Sequence, residues 1–160
     1  DVDNADGAGA ENDATGFDVN FKQAFGPLEL LLSYYTTEGL GTTALLFDGF
    51  DSAGNQRDSD GGLAQLTYTA GATKFGVNYG ISMLDATATD DAVAPAACMA
   101  AGGPNSNCLV DENEKITVGV YHSLTPNLTL VTEYTDSTST AHNGAEVTAD
   151  NFNVGAFFAF

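Results

Sequence analysis

In the final ten residues of the chain, apolar side chains alternate, one position at a time, with residues that are small or polar except for Phe157. A period of two places successive side chains on opposite faces of a β-strand. The pattern therefore predicts a terminal strand with one apolar face, which carries Phe152, Val154, Ala156 and Phe158.

Six further segments show the same period, so the sequence predicts seven strands in an antiparallel up-and-down arrangement. Short turns at 26–27, 70–72 and 125–127 alternate with long polar connections, which places all the long connections at one end. The predicted strands cover about 16–25, 28–37, 63–70, 73–84, 115–124, 128–136 and 151–160, and the predicted long loops cover 1–15, 38–60, 85–114 and 137–150.

Strand length favours a barrel that crosses a membrane. Ten residues at roughly 3.3 Å each, tilted by about 45°, reach roughly 23 Å, near the apolar band of about 25 Å of such barrels. Aromatic residues gather toward the strand ends, as in interfacial girdles, although they favour strands in any protein. The predicted fold class is an all-β, antiparallel up-and-down transmembrane β-barrel, with residues 1–160 as a single barrel portion and its long loops extracellular.

The polar positions of the predicted strands include charged residues, which avoid lipid. A charged side chain on the lipid face near the midplane costs roughly 2–4 kcal/mol. A soluble lipocalin also alternates, but its apolar face points inward. We therefore expect the polar face to line a water-filled pore, with pore-lining residues Asp18, Asn20, Lys22, Glu29, Gln65, Lys74, Asn78, Tyr121, Glu133 and Asn153.

The charge of the chain is strongly negative. It has 22 Asp and Glu against 4 Lys and Arg, a formal net charge of −18, and 18 of the acids fall in the predicted loops. Such a surface lacks the cationic contacts that dominate nucleic-acid binding, and 43% hydrophobic residues argue against disorder. No apolar run approaches the length of a membrane helix. Acidic loops at one end predict a negative mouth and mild cation selectivity.

Other candidate chemistry lies in the loops. Cys98 and Cys108 fall in the longest loop, and an oxidising exterior predicts a disulfide between them. Segments 1–7 and 58–61 are rich in Asp but do not match the spacing of a calcium loop. Two interpretations of these segments stay open: a solvated acidic surface, or a surface that binds Ca²⁺ loosely. We predict no other metal site and no cofactor. No nucleophile and base stand in a recognisable arrangement, so we do not expect an enzyme.

Two stretches together are similar to the last three strands of Gram-negative general diffusion porins. These are 115–135 (KITVGVYHSLTPNLTLVTEYT) and 151–160 (NFNVGAFFAF), where a short Pro-Asn turn and a terminal Phe match the family pattern. With the polar loop between the two stretches, the resemblance covers about 45 residues, and the other strands agree only in pattern. It implies a homotrimer of sixteen-stranded barrels in the outer membrane, in contact with lipid and lipopolysaccharide. It also implies passive diffusion of small hydrophilic solutes, and Phe160 as the signal for the barrel assembly machinery.

The count of seven strands departs from that family, because up-and-down barrels of this kind close with an even number. We therefore expect the chain to be the C-terminal portion of a longer barrel, with the constriction residues in the remaining portion. Two alternatives to a porin stay open at this point. One is a non-conducting outer-membrane scaffold or adhesin with acidic surface loops, and the other is a soluble β-barrel ligand carrier.

Overall fold

Seven long strands form one antiparallel sheet in which each strand pairs with the next along the chain, which confirms the predicted fold class. The computed structural model describes residues 2–3, 11–42, 48–92 and 108–160. A short pair of strands, β1 (Val2–Asp3) and β2 (Glu11–Asn12), precedes the sheet, and a single helical turn, α1 (Ala88–Asp91), follows its fourth strand. The strands of the sheet are β3 (Thr15–Phe25), β4 (Leu28–Glu38), β5 (Asp58–Ala70), β6 (Thr73–Leu84), β7 (Val110–Thr125), β8 (Leu128–Ala141) and β9 (Glu146–Phe158).

Two-residue turns join the strands at one end of the sheet. They lie between β3 and β4, β5 and β6, and β7 and β8. Gly26 and Gly71 have φ of 64° and 60°, a conformation that glycine adopts without steric cost and that tight hairpins require. We call this the turn end, and the opposite end the outer end.

The structure corrects several predicted bounds at the outer end. β5 begins at Asp58 instead of 63, and β7 begins at Val110 instead of 115. β8 continues to Ala141 and β9 begins at Glu146, so the predicted long loop 137–150 is a connection of residues 142–145 between two strands. The stretch 137–140 is Ser-Thr-Ser-Thr, which has the composition of a loop, but threonine also packs well in strands.

The register of the sheet separates a polar face from an apolar face, because residues directly opposite each other share a face. One row across all seven strands runs through Lys22, Leu31, Gln65, Asn78, Thr117, Thr135 and Asn151. A row on the other face runs through Phe25, Leu28, Tyr68, Phe75, Val120, Thr132 and Val154.

The apolar face is exposed, and the residues that the structure describes form almost no apolar interior. Within the described ranges Leu84, with 1% of its surface exposed, is the one buried hydrophobic side chain, whereas Phe17 is 63% and Phe152 is 67% exposed. An apolar surface of this extent marks contact with a membrane or another molecule. No helix among the described residues has the length and apolar character needed to span a membrane.

Acidic residues end the apolar face toward the outer end. On β7 the stretch from Ile116 to Leu124 carries apolar residues and His122 on this face, and Glu114 and Glu112 continue the same face beyond it. That stretch rises roughly 20 Å along a membrane normal at a tilt near 40°. Asp136 on β8 lies opposite Ile116, so an acidic residue also ends the apolar face on this neighbouring strand.

Candidate channel wall and outer rim

The polar face surrounds a concavity of about 580 Å³ near the turn end. Carboxylate, amide, ammonium and hydroxyl groups from five neighbouring strands, β4 to β8, line it, and the turn residues Gly71 and Ala72 border it at the turn end. The concave side of this sheet is therefore the polar side, and its principal polar lining residues are Glu29, Gln65, Lys74, Asn78, Thr117 and Tyr121.

All ten residues predicted to line a pore lie on the polar face. Glu29, Gln65, Lys74, Asn78 and Tyr121 meet in the concavity. The other five lie outside it, toward the two edges of the sheet. These are Asp18, Asn20 and Lys22 on β3, Glu133 on β8 and Asn153 on β9. Contact with a water-filled pore stays a prediction for the whole set.

The charged groups on this face are partly paired. Lys22 Nζ lies 3.1 Å from Glu29 Oε2, and Asn20 Nδ2 donates to Asp18 Oδ2 at 2.8 Å. Lys22 is largely exposed, so this pair contributes little to stability. Among the described residues, Lys74 has no ion-pair partner, although it borders the same concavity as Glu29.

Two tyrosines on the polar face lie over glycines of the sheet. Tyr121 donates a hydrogen bond to Glu133 across Gly119, and a Cβ at Gly119 would lie 2.8 Å from Tyr121 Oη. Tyr35 reaches across Gly61 to Ser82, and a Cβ at Gly61 would lie 2.6 Å from Tyr35 Cε1. The glycines therefore provide the space in which these rings lie along the wall.

At the outer end, Arg57 joins the β4–β5 connection to α1. Its Nε donates to Asp90 Oδ2 at 2.7 Å and its Nη2 donates to Asp90 Oδ1 at 2.6 Å. Its Nη1 donates to the backbone oxygens of Asp48 and Phe50, at 3.0 and 2.7 Å. Arg57 and Asp90 are buried. The interaction with Arg57, mainly its hydrogen bonds, lowers the pKa of Asp90, and Asp90 in turn raises the pKa of Arg57.

A second buried carboxylate, Asp51, strengthens the same connection. Its Oδ1 accepts from the backbone amides of Ala53 and Asn55, and its Oδ2 accepts from Asn55 Nδ2 and from Thr87 Oγ1, each at 2.7 to 2.8 Å. Burial raises the pKa of Asp51, but these four hydrogen bonds outweigh burial and hold its pKa below the ordinary value of 3.8. We call Asp51, Arg57, Thr87 and Asp90 the rim cluster.

Sequence reasoning did not find the rim cluster. One local signal was available, since Thr87 and Asp90 form a capping box at the start of α1. His142 was also left without a role, and the structure places its Nε2 2.7 Å from the backbone oxygen of Leu84 and its Nδ1 3.7 Å from Asp111 Oδ1.

Several predicted features fall partly outside the described residues. Cys98 does, so its disulfide with Cys108 stays a prediction. Most of segment 1–7 also does, and segment 58–61 is the start of β5 instead of a loop. In the described part of the chain, no group of three or more His, Cys, Asp or Glu side chains is placed to hold a metal ion. Phe160 is fully exposed, and its role as an assembly signal stays a prediction.

An antiparallel meander with an exposed apolar face and a concave polar face is the construction of an outer-membrane β-barrel wall. The structure is similar to the crystal structure of the outer membrane channel DcaP of Acinetobacter baumannii, with a TM-score of 0.69 and 12% sequence identity. The match covers 91% of this chain and 41% of DcaP, so the chain spans about two fifths of the length of that channel. No protein-family model and no curated protein matches the chain. The likeness shows the fold of an outer-membrane β-barrel and does not establish membership of the general diffusion porins.

Proposed function

We propose that this chain forms part of the wall of an outer-membrane channel through which small hydrophilic solutes and ions diffuse passively. The observation that supports this most directly is the inverted polarity of the sheet. Its apolar residues face outward and are exposed, while charged and amide side chains border a concavity on the other side. Lipid on one side and water on the other satisfy both faces.

The concavity carries both a negative and a positive side chain, Glu29 and Lys74, and such a mixed lining suits a passive channel. Glu29 is already paired with Lys22, and Lys74 adds a positive charge on a neighbouring part of the wall. Gln65 and Asn78 supply neutral donors and acceptors between them. We propose no catalysis and no cofactor. A homotrimer in contact with lipopolysaccharide belongs to the same proposal, as does recognition of Phe160 by the barrel assembly machinery. The resemblance of the two C-terminal stretches supports both.

The outer rim supports mild cation selectivity. Part of the acidic rim is exposed to solvent, where its field reaches ions that approach the mouth. Asp51 and Asp90 differ, because they are buried and their oxygens accept hydrogen bonds within the rim cluster. The exposed acids of the rim include Glu38, Asp58, Asp85 and Asp91.

Reconstitution of the full-length protein in planar bilayers tests both parts of the proposal. We expect stepwise, ohmic conductance, and a reversal potential under a dilute salt gradient that favours cations. The selectivity should fade near 1 M salt, where the screening length is about 3 Å. An anion-favouring reversal potential would contradict the selectivity. A folded, inserted protein that never conducts would contradict the channel itself and favour the scaffold.

A further inference from the structure

Part of the connection between β4 and β5 lies over the polar face. We call residues 39–42 and 48–57 the inward segment. A Cβ at Gly16 would lie 2.8 Å from Leu40 Cδ1, and Ser59 Oγ donates to the backbone oxygen of Gly41 at 3.1 Å. Gly16 and Ser59 both lie opposite Thr37 and so belong to the polar face. Leu40 and Gly41 therefore cover the outer end of that face on β3, β4 and β5.

Arg57 is the residue that fastens this segment. Its guanidinium binds two backbone oxygens inside the segment through Nη1 and, through its other two nitrogens, the carboxylate of Asp90 outside it. Its own backbone also takes part, since Gly39 N donates to Arg57 O and Arg57 N donates to Gly49 O. Through its backbone and its side chain together, Arg57 thus joins both ends of the segment to each other and to α1, which follows the neighbouring β6.

Polar contacts, and not an apolar core, hold the segment in place. Leu84 is the one fully buried hydrophobic residue in the described ranges, whereas Asp51, Arg57, Ser59 and Asp90 are all buried at the rim. Loss of one partner of such a pair leaves the other as an uncompensated buried charge, which is strongly destabilising. The position of the inward segment should therefore depend on Arg57 far more than an exposed surface loop depends on one residue.

We propose that the inward segment narrows the outer mouth of the channel and that Arg57 is its positioning residue. This inference rests on the proposed channel function. It also places a constricting element in this part of the chain, where the sequence led us to expect none.

Thiol labelling at Ser59 tests the position of the segment. Ser59 is 3% exposed beneath Gly41. In a Ser59→Cys background, we expect Arg57→Ala to speed reaction with a small water-soluble thiol reagent by at least about tenfold, because local opening limits access to a covered site. Lys22→Ala is the matched control, since Lys22 belongs to an exposed ion pair on the same face, and it should leave the rate unchanged.

Two further variants keep the test decisive if Arg57→Ala does not assemble. Arg57→Lys retains the charge but loses the planar fork that binds Asp90 at two points, and it should also speed labelling. Asp90→Ala should act through the same contact, so the effects of Arg57→Lys and Asp90→Ala should not add. Equal labelling rates in the Ser59→Cys protein with and without Arg57→Lys would overturn the proposal.

Bilayer recordings of the same variants separate this proposal from the channel function. In the wild-type background, we expect Arg57→Lys to give a larger and more fluctuating single-channel conductance than the parent protein. A parent that conducts, with an Arg57→Lys variant of identical conductance, would contradict the constriction alone. A parent that does not conduct would contradict the channel, while the labelling rates would still report where the segment lies.

Discussion

Glycine positions along the polar wall differ in what surrounds them. At Gly61 an added Cβ would lie 2.5 Å from the backbone oxygen of Ile81 and 2.6 Å from the Tyr35 ring. At Gly80, also on the polar face, it would meet only the backbone oxygen of Gly62, at 3.8 Å. Neighbouring atoms therefore leave no room for a side chain at Gly61, whereas there is room for one at Gly80.

Substitution of these two glycines should have opposite consequences. Gly61→Ala pushes a methyl group against backbone that has little room to move, and we expect it to destabilise the folded protein by about 1–3 kcal/mol. Gly80→Ala should be neutral or slightly stabilising, because alanine lowers the entropy of the unfolded chain. Urea unfolding of both variants in detergent micelles measures the difference, and equal stabilities would contradict this account of the wall.

Alternation along the chain was sufficient to assign residues to faces. Lys74 and Asn78 follow a strict period of two with Phe75, Val77 and Tyr79, and the register places them as that period requires. Arg57 shows no such period. Its partner Asp90 lies 33 residues away, and a contact of that kind depends on how two connections fold, which no local pattern encodes.

At the scale of elements, the outer ends of the strands were the least predictable part. The sequence placed the fourth strand at about 73–84, where the structure has β6 (Thr73–Leu84). It ended the sixth strand at 136, whereas β8 continues to Ala141. In β6 the alternation of apolar and polar residues extends nearly to both ends of the strand, so the sequence indicates where it begins and ends. In β8 the last residues pair with β9 beyond the apolar band, so their side chains are polar and resemble those of a loop.

The rim cluster should respond to acid. Asp51 and Asp90 ionise at lower pH in the folded protein than their ordinary value of 3.8. A depressed pKa contributes stability that is present above the unfolded value and is lost as pH falls through the folded value. We expect hydrogen-exchange protection of the Ala53 and Asn55 amides, which donate to Asp51, to stay constant from pH 7 to about 5 and to fall below about pH 4.

Asp51→Asn provides the control for this pH dependence, because it removes the titrating group and retains one oxygen acceptor. Its Ala53 and Asn55 protection should be weaker than in the parent at neutral pH and should show a smaller change on acidification. Protection in the parent that remains unchanged down to pH 3 would contradict the contribution of these carboxylates.

The predicted disulfide is also a property of an element, because it would link Cys98 and Cys108 within the connection between β6 and β7. Alkylation without reduction should leave both cysteines unmodified, and alkylation after reduction should add two groups to the intact mass. Two modified thiols before reduction would show that Cys98 and Cys108 are not paired.

At the scale of the whole molecule, the central feature is a sheet whose polarity is reversed relative to a soluble β-protein. Soluble barrels turn their apolar residues inward, whereas here Phe17, Phe21 and Phe152 are exposed and Lys74 borders the concavity. The likeness to DcaP agrees with this arrangement, although it covers 41% of that channel. The proposed function places membrane lipid against this surface, which would stabilise it.

Cysteine accessibility in a conducting bilayer tests the central claim most directly, because it reports the environment of each face and its connection to the current. Single cysteines at Lys74 and Asn78 lie on the polar face, and matched ones at Val77 and Tyr79 lie on the apolar face of the same strand. We predict that a small charged thiol reagent reacts at Lys74→Cys and Asn78→Cys and partly blocks the current, and that it leaves Val77→Cys and Tyr79→Cys unmodified. Labelling at Val77 and Tyr79, with no block from Lys74 and Asn78, would contradict the assignment of the polar face to the channel wall.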